Sequence, residues 1–213
     1  MISENIHQGQ TILVAGEPLE TARAAMLLFH GRGATAQSVL TLTSELNLSG
    51  FAYLAPQAAG STWYPNRFVA PVASNEPWLS SALAVVSDVL AQIGQHIPPE
   101  RTILLGFSQG ACLALEYAAR HAQRYGGVVG LSGALIGADG EARHDRGSLK
   151  GTPVFLGCSD VDMHIPKVRV HHAAEVLRTL GGEVTVCLYP HLGHTINADE
   201  VDFVRGMMTT LVK

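Results

Sequence analysis

Cysteine is scarce in this chain: Cys112, Cys158 and Cys187 are the full set, with no Cys-x-x-Cys spacing. An odd count without paired spacing excludes a disulfide framework. Each lies in an apolar stretch, so the three read as buried free thiols in a reducing compartment. Charge is sparse as well. Charged residues make up 15 %, the net charge is -4, and Lys and Arg are scattered. No basic stripe is available to neutralise phosphates, which argues against nucleic acid as a partner, and no run of like charge reads as an interaction tail. The opening MISENIHQGQ lacks the basic region and apolar run of a signal peptide. No apolar stretch approaches the ~20 residues a membrane span needs. A cytoplasmic protein with no membrane span is expected. Ten histidines invite a metal reading, yet there is no His-Glu-x-x-His or Cys/His ligand spacing. The adjacent His171 and His172 diverge on a predicted helix, so no metal is expected and the histidines are assigned to the surface.

What is present is apolar and alternating. The 213 residues suit one domain, and 47 % hydrophobic content suffices for a large core. Strands are expected at 11–15, 24–30, 51–56, 102–107, 127–131, 153–157 and 184–189. Several, such as Ile103-Leu104-Leu105 and Val154-Phe155-Leu156, are apolar throughout, as strands buried on both faces are. Helices are expected at 35–46, 77–97, 109–121, 167–180 and 199–211. The second carries Leu79, Leu83, Val86, Leu90 and Ile93 at helical spacing, and Gly181-Gly182 stops the fourth. Strand–helix alternation predicts an α/β fold, with a mostly parallel central sheet covered by helices on both faces. Two irregular stretches, 57–76 and 133–152, are long enough to serve as binding or lid segments.

Gly106-Phe107-Ser108-Gln109-Gly110 matches G-x-S-x-G. A buried strand runs into it and a good helix leaves it, which is the setting of a nucleophile elbow in an α/β-hydrolase. Side chains at 106 and 110 would collide with neighbouring backbone in so sharp a turn, hence the glycines. The helix N-terminus behind Ser108 favours developing negative charge. The rival reading is a glycine-rich helix start that Ser108 merely caps.

A serine hydroxyl needs a neighbouring base, and this fold orders the partners Ser, acid, His. Two loops fit, each at the C-terminal end of a predicted strand, where chemistry gathers in open α/β sheets. One offers Asp160 or Asp162, between which spacing does not decide. The other offers His191 or His194, and Gly193 favours His194 by letting the loop bend tightly. The strand through Leu27-Leu28-Phe29 ends in His30-Gly31-Arg32-Gly33, the loop that supplies one oxyanion-hole amide in this fold. The residue after the nucleophile supplies the other. The backbone amides of Arg32 and Gln109 are assigned to these roles. A phosphate-loop reading fails because no Gly-Lys-Ser/Thr follows. Trp63, Tyr64 and Phe68 in the first irregular stretch are candidates for the wall of an acyl pocket, and equally for packing at the domain edge. Cys112, one helical turn past Ser108, reads as core rather than as a second nucleophile.

Together these pieces resemble the phospholipase/carboxylesterase family, α/β-hydrolases that include acyl-protein thioesterases and small bacterial carboxylesterases. The resemblance runs from about Ala24 to Leu211. It rests on His30-Gly31-x-Gly33, Trp63-Tyr64-Pro65, Gly106-Phe107-Ser108-Gln109-Gly110-Ala111, Leu131-Ser132-Gly133, Asp162-x-x-Ile165-Pro166 and Gly193-His194. In that family the Asp three residues before an aliphatic residue and Pro is the triad acid, which selects Asp162. The resemblance implies a Ser108–Asp162–His194 triad, no cofactor, and a small-molecule ester or thioester substrate of short to medium acyl chain. A long-chain thioesterase or lysophospholipase is the alternative, and a non-catalytic ligand-binding relative a third. A dienelactone-type hydrolase would carry Cys at position 108. The chain departs from the common pattern at Arg32, Ser159 and Met163-His164. Arg32 is either a recognition group for a substrate carboxylate or phosphate or a surface ion pair. A homodimer is left open.

Overall fold

The computed structural model describes residues 5–213. Seven strands form one sheet in the order β1-β3-β2-β4-β5-β6-β7. They are β1 (Ile12–Gly16), β2 (Ala24–Phe29), β3 (Phe51–Pro56), β4 (Thr102–Phe107), β5 (Gly127–Leu131), β6 (Pro153–Ser159) and β7 (Glu183–Tyr189). All neighbours are parallel except β1, which runs antiparallel to β3 at the edge. The expected strands are all present, most with ends shifted by one or two residues.

Alternation along the central strands splits the core in two. Ala25, Leu27 and Phe29 of β2 face one layer, with α3 (Trp78–Ile93), α4 (Gln109–Arg120) and α5 (Lys167–Thr179) packed over it. Ala24, Met26 and Leu28 face the other, covered by α1 (Ala36–Leu40) and α6 (Ala198–Leu211). A sheet buried on both faces is why β2 and β3 are apolar at every position.

The single helix expected over 35–46 is two short ones, α1 and α2 (Leu42–Leu46), broken at Thr41. Thr35 and Ser38 form a capping box that starts α1. The hydroxyls of Thr41, Thr43 and Ser44 then bond to the carbonyls of Ser38, Leu40 and Thr41. Such local side-chain bonds compete with a continuous helix. The helix expected to reach residue 97 stops at Ile93, with Gly94 as its C-cap. His7, assigned to the surface with the other histidines, is instead fully buried; His30, whose side chain is expected to fix the loop after β2, is buried as well. Of the three cysteines, Cys112 and Cys158 are buried but Cys187 is only half-buried; all are free thiols.

Strand order sets the site. From β2 the chain steps to β3 on one side, then crosses back to β4 on the other, so the loops leaving β2 and β4 diverge. In open α/β sheets that divergence opens a crevice at the strand C-termini, where ligands bind.

Candidate active site

Ser108 stands at that crevice, between β4 and α4, with φ 55° and ψ -118°. A non-glycine residue at positive φ is strained and persists only when its surroundings fix it. Here they do. A Cβ on Gly106 would lie 2.1 Å from the Gly110 carbonyl oxygen, and one on Gly110 would lie 2.1 Å from that of Phe29. The backbone N–H of Ser108 donates to Leu131 O (2.9 Å), tying the turn to β5.

The loops after β6 and β7 converge on this serine. His194 Nε2 lies 2.9 Å from Ser108 Oγ, and Nδ1 lies 2.7 Å from Asp162 Oδ2. The carboxylate of Asp162 has no exposed surface. Burial pushes its pKa up, but bonds from His194 and from the backbone amides of His164 (2.8 Å) and Ile165 (3.1 Å) outweigh that and hold it below the usual carboxylate value. Asp160 does different work: its Oδ1 accepts from His191 N (2.9 Å), and Ser159 Oγ accepts from Gly193 N (3.1 Å). These two bonds lash the histidine loop to the aspartate loop, and His191 itself is exposed. Gly193 has φ 79°, a conformation that glycine adopts at little cost.

The loop after β2 lies against the nucleophile. A Cβ on Gly31 would be 3.4 Å from Ser108 Cβ. Among the described residues, neither the Arg32 nor the Gln109 backbone N–H has an acceptor. For Gln109 this follows from its place in the first turn of α4. His30 sets the loop: Nδ1–H donates to Gly31 O (2.8 Å), and Nε2 accepts from Ala58 N (3.1 Å). Burial holds its pKa below the usual imidazole value, so the ring is a neutral strut.

The segment after β3 closes one side. Trp63 is fully buried, its indole N–H donating to His30 O (2.9 Å), and it has no surface on the cavity. As a candidate wall residue it is therefore corrected to packing, while Tyr64 and Phe68 do line the space beside Ser108. That space measures about 300 Å³. Cys112 also lines it, but burial pushes its thiol up to about 11, so it stays protonated and unreactive.

Three positioning features were not legible from sequence. The side chain of Gln109 accepts from Trp63 N (3.0 Å) and donates to Tyr64 O (2.8 Å), stapling the segment to the elbow. His7 braces the segment from behind, bonding Trp63 O (3.0 Å) and Ala59 N (3.1 Å). Arg32 is neither in an ion pair among the described residues nor loose: its guanidinium donates to the carbonyls of Tyr64 (2.9 Å), Pro65 (2.9 Å) and Asn66 (2.6 Å). No local pattern signals contacts across such separations; only the run of polar residues near buried strand ends hints at them.

A larger cleft of about 470 Å³ lies elsewhere, along the stretch from Leu135 to Asp145. Most of its charged groups are engaged: Glu116 with Arg120 and Arg143, Arg143 with Asp145, Arg169 with Asp139 outside the cleft, and Glu141 with the backbone N–H groups of Val72 and Ala138. It is a lock on that stretch, and among the described residues no Ser, Thr or Cys lines it. Among the described residues, no group of three or more His, Cys, Asp or Glu could hold a metal ion, and no helix is long and apolar enough to cross a membrane.

Comparison with known proteins places this geometry. A phospholipase/carboxylesterase from Dyadobacter fermentans DSM 18053 superposes with a TM-score of 0.89 at 41 % identity, over 96 % of this chain and 97 % of that one. The esterase PE8 superposes at 0.77 with 23 % identity, a likeness of fold alone. Acyl-protein thioesterase 1 of Gibberella zeae is 31 % identical over 119 residues, 55 % of this chain and 51 % of that protein. The yeast protein of that name, from Saccharomyces cerevisiae, is 34 % identical over 92 residues, 43 % of this chain and 40 % of the relative. The chain thus spans about half the length, or less, of these thioesterases. The family model described as phospholipase/carboxylesterase matches residues 11–212, and the chain belongs to that family of α/β-hydrolases.

Proposed function

We propose that this chain is a serine hydrolase that cleaves carboxylic esters of short to medium acyl chains through an acyl-enzyme. The observation that carries the reading is the unbroken relay from Ser108 Oγ to His194 to Asp162, at 2.9 and 2.7 Å, with two unengaged amides beside the serine. In this reading His194 Nε2 takes the hydroxyl proton as Ser108 Oγ attacks the substrate carbonyl. Asp162 holds the tautomer with the proton on Nδ1 and stabilises the imidazolium that forms. The amides of Arg32 and Gln109 bind the oxyanion, each worth about 3 kcal/mol in the transition state. His194 then returns the proton to the leaving alcohol. In the second half it takes a proton from water, whose oxygen attacks the acyl carbon, and returns it to Ser108 Oγ as the acyl bond breaks, which frees the acid and the serine hydroxyl.

Chain length is read from the cavity. About 300 Å³ lies at the lower end of the range for ligand sites, and the buried Tyr64 and Phe68 bound it. The likeness to acyl-protein thioesterases favours a second reading, long-chain thioesters. The three free thiols fit a reducing, cytoplasmic setting. The test is hydrolysis of p-nitrophenyl esters from acetate to palmitate, with wild type beside Ser108→Ala. Activity that peaks at short to medium chains and vanishes in the variant is expected. A peak at palmitate would transfer the assignment to the second reading, and equal slowness of both proteins on every ester would leave a non-catalytic relative.

A further inference from the structure

We infer that the substrate of this site carries an anionic group a few atoms from its scissile carbonyl, and that Arg67 with Arg32 recognises it. The inference rests on the hydrolase reading above and adds a substrate class to it. Two arginines, Arg32 and Arg67, line the cavity that holds Ser108, as does His164; among the described residues no Asp or Glu lines it. This runs against the molecule as a whole, whose net charge is -4. A cleft lined by one sign of charge focuses its field and concentrates ligands of the other sign.

The two arginines differ in how they are held. Arg32 is anchored by three carbonyls and lies 5.9 Å over the Tyr64 ring. Those bonds leave its Nε–H and one Nη1–H without acceptors among the described residues. They also fix residues 64–66, which deliver Arg67 and Phe68 to the cavity. The Arg67 guanidinium is exposed and has no hydrogen bond or ion pair among the described residues. An unpaired arginine on a fixed segment, lining the same cavity as a second one with free donors, can serve a planar or tetrahedral anion. The same cavity is lined by the buried Tyr64, Phe68 and Ile165, which supply its apolar surface. The pattern therefore fits a short apolar spacer between ester and anion, as in the monoester of a dicarboxylic acid or a short acyl ester of a phosphorylated alcohol.

The test compares matched esters at low salt. One pair places a carboxylate on the acyl side: 4-nitrophenyl hydrogen adipate against 4-nitrophenyl hexanoate. The other places a phosphate on the alcohol side: 1-butyrylglycerol 3-phosphate against 1-butyrylglycerol. The readout is the ratio of kcat/KM, anionic over neutral, within each pair. Wild type should show a ratio of about tenfold or more in at least one pair, falling as salt screens the field. The pair in which it appears identifies the carboxylate or the phosphate as the recognised group. Arg67→Glu should bring that ratio to unity or below, and Arg67→Lys should restore part of it. Ratios near one in both pairs, with neutral esters hydrolysed in a Ser108-dependent manner, would overturn the inference and leave the hydrolase reading intact. A ratio that survives Arg67→Glu would also overturn it. Hydrolysis of no ester, or hydrolysis unaffected by Ser108→Ala, would bring down the hydrolase reading and this inference with it.

Discussion

Ser108 and Asp162 show what single residues do here and how far a sequence discloses it. The serine is announced by its context, because a strand, two glycines and a helix must surround a turn with φ 55° and close backbone approaches. The aspartate is not. Asp160 and Asp162 stand two residues apart on one loop, and only the bend of that loop turns Asp162 to His194 and Asp160 to His191 N. Arg32 was legible as a departure, but its anchoring to carbonyls over thirty residues away was not. At this scale the sharpest expectation concerns Asp162→Asn. The amide keeps the shape, and its oxygen can still accept from His164 N and Ile165 N. Its NH2 would face His194 Nδ1 and favour the tautomer that cannot accept the serine proton. A fall in kcat of about 10⁴ with little change in KM is expected from steady-state kinetics. A variant within tenfold of wild type would remove Asp162 from the relay.

Among the elements, the sheet was the most legible part, since runs of apolar residues bounded by turn residues leave few alternatives. Helix limits were less so, because hydroxyl back-bonding at Thr41, Thr43 and Ser44 broke a helix that periodicity alone would continue. The start of α6 hides a feature of another kind. Glu200 caps it by accepting from Asn197 N (2.9 Å), yet it is fully buried, and its Oε1 has no partner among the described residues. Gly157 of β6 makes the room: a Cβ there would lie 2.2 Å from that oxygen. Burial raises the Glu200 pKa from 4.5 to about 7. The unfolded chain releases this proton near 4.5 and the folded chain near 7, so stability falls as pH rises through that window, by about 1.4 kcal/mol per unit. Glu200→Gln cannot ionise. Urea unfolding at pH 5 and pH 8 should show the variant gaining on wild type by about 2.5 kcal/mol between the two. Buried His7 and His30, whose pKa values burial lowers, act in the opposite sense but equally in both proteins, so they cancel in the difference. A gap that does not change with pH would mean that Glu200 is charged in the native state.

For the whole molecule, the central fact is convergence. Ser108 follows β4, Asp162 follows β6 and His194 follows β7, and the backbone amide of Arg32, the proposed oxyanion donor, follows β2. Parallel strands bring all four loops to one edge of the sheet, so the site exists only when the sheet does. The proposed serine chemistry would therefore be a property of the fold and not of the pentapeptide around Ser108. The direct test is covalent labelling with a fluorophosphonate, read by intact mass and by peptide mapping. Native protein should take up one adduct, on Ser108, while protein unfolded in urea and the Ser108→Ala variant take up none. A native protein that stays unlabelled, or a label that lands elsewhere or persists on the unfolded chain, would contradict the assignment of Ser108, His194 and Asp162 as a catalytic relay.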